Sequence, residues 1–176
     1  MIIGERLRLR RWTANDIIYL DAIFGDPEVM EFSDRGALSK SEQQVWLDTQ
    51  LSQAKSMERF GTNAIEFNTS GKVSGYVSLS QDLARIGPEE VEIGIRLARS
   101  VWGQGYAAEA ILTLVNAVDP LGRIVAIVDP NNHRSVKLMK RVGMIYDRQV
   151  MFAGYDYPDH IYAMDSPRLH EEQSKG

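Results

Sequence analysis

Residues 92–110 read Glu92-Ile93-Gly94-Ile95-Arg96-Leu97-Ala98-Arg99-Ser100-Val101-Trp102-Gly103-Gln104-Gly105-Tyr106-Ala107-Ala108-Glu109-Ala110. The hydrophobic period changes inside this stretch. Val91, Ile93, Ile95 and Leu97 share one face and Glu92, Gly94 and Arg96 the other, which predicts a strand over 91–97. From about Gly105 to Val118, Ala107, Ile111, Leu114, Val115 and Val118 recur at helical spacing, and Pro120 and Gly122 end the helix. Between the two lies Gly103-x-Gly105. Glycines there let the backbone turn tightly and approach a ligand, and the first N–H groups of the helix then point at it. With the helix dipole they form a site for an anion, phosphate above all. The plain alternative is a strand-to-helix turn that happens to use two glycines.

Working downstream, Ile124–Val128 is an unbroken apolar run, as expected of a strand buried on both faces. Asp129-Pro130 breaks it, and Asn132 starts a short helix reaching Val142. Met144–Ala153 and His160–Met164 read as a final hairpin, and a polar, loose tail follows from Asp165. Upstream, Leu7 and Leu9 alternate with Arg6, Arg8 and Arg10, the pattern of a strand with one wet face. Thr13 and Asp16 form a cap before Ile17, Leu20 and Phe24 at helical spacing, stopped by Gly25 and Pro27. Ser39 and Glu42 make a second capping box, leading a long helix through Val45, Leu47, Leu51 and Ala54. Ala64–Phe67 and Val73–Leu79 read as strands joined by a turn at Ser70-Gly71. The order is β-α-α-β-β-β-α-β-α-β-β. It predicts an α/β, mixed α+β domain over 1–165: a mostly antiparallel twisted sheet flanked by helices, with one β-α-β crossover at 91–128 and a tail over 166–176.

Composition narrows the function classes. The 176 residues are 44% hydrophobic and 25% charged, ordinary for a globular chain and not for a disordered or fibrous one. The absence of cysteine excludes a disulfide scaffold, a thiol nucleophile and cysteine-based metal sites. Twenty Lys and Arg against 24 Asp and Glu give a net charge of −4, against nonspecific nucleic-acid binding. Basic residues follow rather than precede the short apolar run at the N-terminus, and no run approaches membrane-span length. A cytoplasmic location is therefore expected, with no membrane partner. Asn68-Thr69-Ser70 fits a glycosylation sequon by chance.

Two phosphate-binding readings compete. Gly103-x-Gly105-x-x-Ala108 formally matches a dinucleotide fingerprint, with Asp129 at the end of the next strand as the ribose-binding acid of an NAD(P) oxidoreductase. Against it, five residues (Ala98–Trp102) separate the strand from the first glycine, and the remaining parallel strands are missing. The other reading is a family resemblance. Trp102-Gly103-Gln104-Gly105-Tyr106-Ala107 resembles motif A of the GNAT N-acetyltransferases, [Gln/Arg]-x-x-Gly-x-[Gly/Ala], and its wording is similar to the branch of the RimJ/RimL ribosomal-protein acetyltransferases. Glu5-Arg6-Leu7-Arg8-Leu9-Arg10 resembles that branch's first strand, and Glu92-Ile93-Gly94 its strand before motif A. Asp129-Pro130-Asn131-Asn132-His133-Arg134-Ser135, with Arg141-Val142-Gly143-Met144, resembles motif B. The resemblance spans residues 5 to about 164. Trp102 departs from the family's Gln or Arg.

The resemblance implies acetyl-CoA as donor, its pyrophosphate on the backbone of Gly103, Gln104, Gly105, Tyr106 and Ala107, beside Trp102. Its pantetheine would pair with the main chain of Ile95, Arg96 and Leu97, using backbone groups only. The acceptor would be a primary amine, either a protein N-terminus or a small molecule. The chemistry needs a base for the amine, a donor for the oxyanion and a proton for the leaving thiolate. Glu92, on the polar face of its strand, is the candidate base; the alternative is a solvated or Arg96-paired glutamate. A backbone N–H near Ile95 would serve the oxyanion. Many relatives carry a tyrosine four residues before the motif B glycine, where this chain has Met139. Ser135 is then the candidate proton donor ahead of Tyr146, unless its hydroxyl merely satisfies the first turn of the helix. Asn132 is expected to cap that helix and touch pantetheine.

Other features read more plainly. Arg134, Lys137 and Arg141 share a helix face, to meet the CoA 3′-phosphate or simply to be solvated. Trp12, Trp46 and the methionines are expected in the core. Tyr155 and Tyr157 either wall the acceptor cleft or pack. His133, His160 and His170 lack metal-ligand spacing, so no metal is expected. The missing tyrosine at Met139 also motivates a different class of protein, a non-catalytic acyl-CoA-binding regulatory module.

Overall fold

A computed structural model describes residues 1–53, 60–118 and 122–165. Ala54, Pro120 and the tail with His170 lie outside the described residues. Eight strands form one sheet: β1 (Ile2–Ile3), β2 (Leu7–Arg10), β3 (Gly61–Phe67), β4 (Val73–Ser80), β5 (Glu90–Leu97), β6 (Arg123–Val128), β7 (Ile145–Val150) and β8 (Asp159–Asp165). Their spatial order is β1-β2-β3-β4-β5-β6-β8-β7. Among the described residues only β5 and β6 pair in parallel, the crossover expected at 91–128. Three α-helices accompany them: α1 (Lys40–Gln53), α2 (Tyr106–Ala117) and α3 (His133–Arg141). The predicted mixed, mostly antiparallel sheet is what the chain forms. A dinucleotide fold loses its frame, because one parallel pairing does not make the open parallel sheet that fold requires.

The first predicted helix differs. Residues Ala14–Tyr19 form a 3₁₀ helix and Asp21–Gly25 a π turn. The Thr13–Asp16 capping box is present, but Asp16 is also gripped by both terminal nitrogens of Arg10 at 2.8 Å. Leu20, at the junction of the two turns, and Ile23 and Phe24 in the π turn are buried. Arg8 and Arg10 do not present a freely solvated face: Glu66 on β3 stands directly opposite Arg8, on the same side of the sheet, and both arginines bind its buried carboxylate. In α1 the buried side is Gln43 and Leu47, four apart, so Val45 points to solvent. Strand β1 is too short to have left a pattern. Trp12 is core and Trp46 packs against it, edge-on at 5.1 Å, but Met1 and Met151 are exposed.

Each face of the sheet has its own core. On one side, Leu7, Leu9, Val91, Ile93 and Leu97 meet Ile111, Leu114 and Val115 of α2 and Met139 of α3. On the other, Leu20, Ile23, Phe24 and Leu47 cover Ala64 and Val73, and a smaller group joins Ile86 to Val125, Ile161 and Ala163. Residues alternate across a strand, so Glu92, Gly94 and Arg96 belong to this second face.

Candidate active site

The parallel pairing of β5 with β6 covers only Glu90–Glu92 against Arg123–Val125. Beyond it β5 stays with β4 as far as Leu97, while β6 runs on with β8 to Val128. The two strands therefore splay, and a cleft of about 830 Å³ opens along the wedge. The Ala98 N–H donates to the Ser74 carbonyl at 2.8 Å, so even-numbered residues of β5 direct their main chain toward β4. By alternation, the backbone groups of Ile95 and Leu97 face the wedge. The Leu97 carbonyl accepts the Trp102 indole N–H at 2.9 Å, which leaves the Ile95 N–H and carbonyl and the Leu97 N–H for a ligand. The main chain of Arg96 is committed to β4.

At the mouth of the wedge, Gly103 (φ +73°) and Gly105 (φ +84°) both adopt the left-handed region, which explains glycine at these two positions. Gly105 caps α2, and the first-turn amides of that helix open on the cleft, which Gly103, Gly105, Tyr106 and Ala107 line. Gln104 does not line it; its side chain donates back to the Ser100 carbonyl at 3.2 Å. Arg6, given no site role by the sequence, braces this loop. Its main-chain N–H and Nε each donate to Glu109 at 2.7 Å, its Nη1 reaches the Gln104 carbonyl, and its guanidinium lies over Tyr106. A Cβ on Gly105 would stand 3.5 Å from the guanidinium nitrogens of both Arg6 and Arg141. The turn thus pairs helix-start amides with two cations. Trp102 anchors the loop to β5 and carries the Arg134 guanidinium 4.1 Å above its ring.

Glu92 lies in the cleft with its side chain only 16% exposed, 3.8 Å from Arg85. Burial pushes its carboxyl above the usual glutamate range; Arg85 pulls it back and Asp82 adds to the rise. It does not pair with Arg96, whose guanidinium rests over Phe24 and Tyr76 instead. Asn132 caps α3, its Oδ1 accepting the Ser135 N–H at 3.1 Å. The Ser135 hydroxyl hydrogen-bonds to no described residue and, like Asn132, lines the cleft. Met139 is buried at the cleft wall, while Tyr146 lies half-exposed on β7, outside the lining, against His160 and Tyr162. Lys137 and Arg141 face the cleft, as does Arg134, which is also tied to Glu28 and Glu31.

Tyr155 and Tyr157 sit outside the lining but hydrogen-bond two residues of it, Asp34 and Asp129. They fasten the β7–β8 connection across the cleft. The Asp34 carboxylate holds the Tyr155 phenol up at about 12. Asp159 is buried nearby, its carboxyl pushed up by burial and by the charge of Asp129. Arg85 and Asp34 line the cleft but had no signal in the sequence, because they reach it from segments without periodicity.

A mostly antiparallel sheet, split at its one parallel pairing with a glycine-bearing helix start at the mouth, is the architecture of an acetyltransferase domain. The chain belongs to the GNAT acetyltransferase family: the acetyltransferase (GNAT) domain matches residues 6–145. An uncharacterized N-acetyltransferase of Bacillus licheniformis is 30% identical over 141 residues, 77% of this chain and 76% of that protein. The crystal structure of a GNAT-family acetyltransferase from Bacillus anthracis superposes with a TM-score of 0.78 at 19% identity, covering 94% of this chain and 98% of that one. The RimL ribosomal α-N-protein acetyltransferase, solved in complex with coenzyme A, gives 0.72 at 17% identity, covering 93% and 96%. Among the described residues, no helix is long and apolar enough to cross a membrane.

Proposed function

We propose that the protein moves the acetyl group of acetyl-CoA to a primary amine by direct attack. The observation that carries this is the wedge, whose free main-chain groups at Ile95 and Leu97 lead from the glycine turn to the partly buried carboxylate of Glu92. Acetyl-CoA supplies an acyl group on a good leaving thiolate. The helix-start amides at Gly105–Ala107, with Arg6 and Arg141 beside them, suit its pyrophosphate. Lys137 and Arg141 on α3 face the cleft where a further phosphate would lie. Extended-strand pairing to Ile95 and Leu97 suits the pantetheine amides.

Ordinary alkylamines carry a proton at neutral pH, with pKa near ~10.4, and α-amino groups titrate near ~7.7–8.0. Glu92 has a raised affinity for protons and faces the acceptor side of β5, so it takes the amine's proton directly or through water. The Ile95 N–H points into the wedge to receive the oxyanion. The Ser135 hydroxyl, unpartnered at the cleft wall, returns a proton to the departing sulfur. The chain has no cysteine for a covalent acyl intermediate on a thiol, which accords with direct transfer.

Calorimetric titration with acetyl-CoA, with NADH as control, tests the donor site; micromolar binding of acetyl-CoA and none of NADH is expected. Amine-dependent release of free thiol then tests turnover. The regulatory-module reading, motivated by Met139, predicts the same binding with no thiol released in any amine. NADH binding without acetyl-CoA binding overturns the proposal.

A further inference from the structure

Five cationic side chains line the cleft, and four of them have evident work. Arg85 faces Glu92, Arg134 is tied to Glu28 and Glu31, and Lys137 and Arg141 project from α3 on the phosphate side. Arg96 differs. It stands on the acceptor face of β5, four residues from Glu92 and so about 13 Å along the strand. It is partly buried, and among the described residues no carboxylate, carbonyl or hydroxyl accepts a hydrogen bond or ion pair from it. Two rings hold it: its guanidinium carbon lies 5.5 Å from the centre of Phe24 and 5.9 Å from that of Tyr76. Those rings stack on each other at 5.7 Å, and Phe24 is 2% exposed, so the platform is fixed by the core beneath it.

A guanidinium packed against aromatic rings spends none of its N–H donors on them, so the fork of Arg96 stays available. Donors half out of water need an acceptor, and a fork of parallel N–H groups matches a carboxylate in a bidentate pair. A phosphate ester fits less well, since it carries up to about two negative charges. Arg96 is one cation, and Glu28 and Asp34 line the same mouth. We infer that the amine acceptor is itself a carboxylate, an amino-acid-type molecule whose acid group docks on Arg96 while its amine meets the acetyl group beside Ile95, water carrying its proton the rest of the way to Glu92. This rests on the acetyltransferase reading above and narrows it. A protein N-terminus, whose first residue carries an amide in place of the carboxylate, is then the poorer acceptor. In the transfer, the ammonium first gives one proton to Glu92, directly or through water, and the neutral amine nitrogen then bonds to the acetyl carbonyl carbon as the C–S bond breaks. The second proton shed by that nitrogen replaces the one Ser135 gives the thiolate, N-acetylamino acid and CoA thiol leave, and Glu92 releases its proton to solvent.

The test measures thiol release from acetyl-CoA with the standard L-amino acids, each matched with its carboxamide. The protein brings no thiol background, having no cysteine. The expected result is at least one amino acid with a kcat/KM ten or more times that of its amide, the difference lying mainly in KM. Arg96→Met keeps the apolar stem over the rings and should bring that ratio to about one. Arg96→Lys keeps the charge without the fork, and should retain only part of the preference. Amides that serve as well as acids, or a preference that survives Arg96→Met, overturn the inference while leaving acetyl transfer intact. So does phosphoethanolamine outperforming every amino acid. Failure to bind acetyl-CoA in calorimetry, or release of no thiol with any amine, instead removes the acetyltransferase reading and this inference with it.

Discussion

Replacing Glu92 with Gln separates the catalytic reading of this residue from a structural one, because the two predict opposite signs in stability. Glu92→Gln preserves shape and removes the charge. A positioned general base contributes ~10²–10⁴-fold, so kcat/KM should fall by that factor, or about 3–5 kcal/mol of transition-state stabilisation. Wild-type activity should show an acidic limb above the ordinary glutamate range, since burial raises the carboxyl; the variant should lack that limb. Stability moves the other way. Burial outweighs Arg85, so the ionised carboxylate is held at a cost that the unfolded chain does not bear. Arg85 offsets this by on the order of 1 kcal/mol or less, at 3.8 Å and with its side chain 40% exposed.

The Gln variant should therefore melt no lower than wild type at pH 7, and higher if anything. The advantage should shrink as pH falls through the raised carboxyl range, where the wild-type side chain takes up its proton. The assays are thiol-release kinetics from pH 5 to 9 and thermal melts over the same range. A melting point that drops by several degrees, or full activity at every pH, refutes the assignment. Arg85→Met is the control: losing the cation that pulls the carboxyl down should move the acidic limb of activity to higher pH.

Other substitutions probe the frame around the site. Gly105→Ala forces a Cβ into φ +84° beside two guanidiniums; it should cost about 1–2 kcal/mol of backbone strain and weaken acetyl-CoA in calorimetry more than it lowers the melting point. Arg148→Met strips the two hydrogen bonds that Arg148 gives the buried Glu90. Arg123 at 3.6 Å and the Gly87 N–H remain, so the loss should be about 2–3 kcal/mol, below the 3–5 of a fully orphaned charge. Because Arg148 holds the Glu90 carboxyl down, that contribution is present at neutral pH and fades as pH falls through the carboxylate range; melts at pH 7 and pH 3 check both. Asn132→Ala removes the cap of α3 and should cost about 1 kcal/mol by denaturant titration.

What the sequence disclosed, and what it did not, divides along sequence separation. The strand-turn-helix at 90–117 was legible because period 2 gives way to period 3.6 within a few residues and glycine marks the junction. The apolar run at 124–128 announced a central strand for the same local reason. The final hairpin was visible as a pair, but not that its second strand, β8, would sit between β6 and β7; nothing in a hairpin's own pattern says which strand meets the sheet. Arg8 and Arg10 looked solvated because their partners lie elsewhere in the chain, Glu66 on the neighbouring strand 58 residues from Arg8 and Asp16 past the turn that follows β2. The first helix was read from its cap and spacing; the cap is present, but the backbone runs through 3₁₀ and π turns, with Leu20, Ile23 and Phe24 buried.

The site divides in the same way. The segments proposed for main-chain roles were legible from local pattern, through glycine at 103 and 105 and alternation in β5, but not which amides are free: pairing with β4 takes the main chain of Arg96 and leaves Ile95 and Leu97. Side-chain roles depend on pairings that local pattern does not contain. Arg6 meets Glu109 across 103 residues, and Tyr155 meets Asp34 across 121. Arg96 shows why this matters. In sequence it is one polar residue on an alternating strand, with Glu92 as an obvious partner. In space that partner is turned to Arg85, and the aromatic platform that holds Arg96 comes from Phe24, seventy residues earlier, and from Tyr76 on the adjoining strand. The unsatisfied guanidinium is a property of the assembled cleft. On the proposed reading, acceptor choice depends on contacts between distant segments, while the glycine turn offered to the donor's pyrophosphate is one contiguous motif.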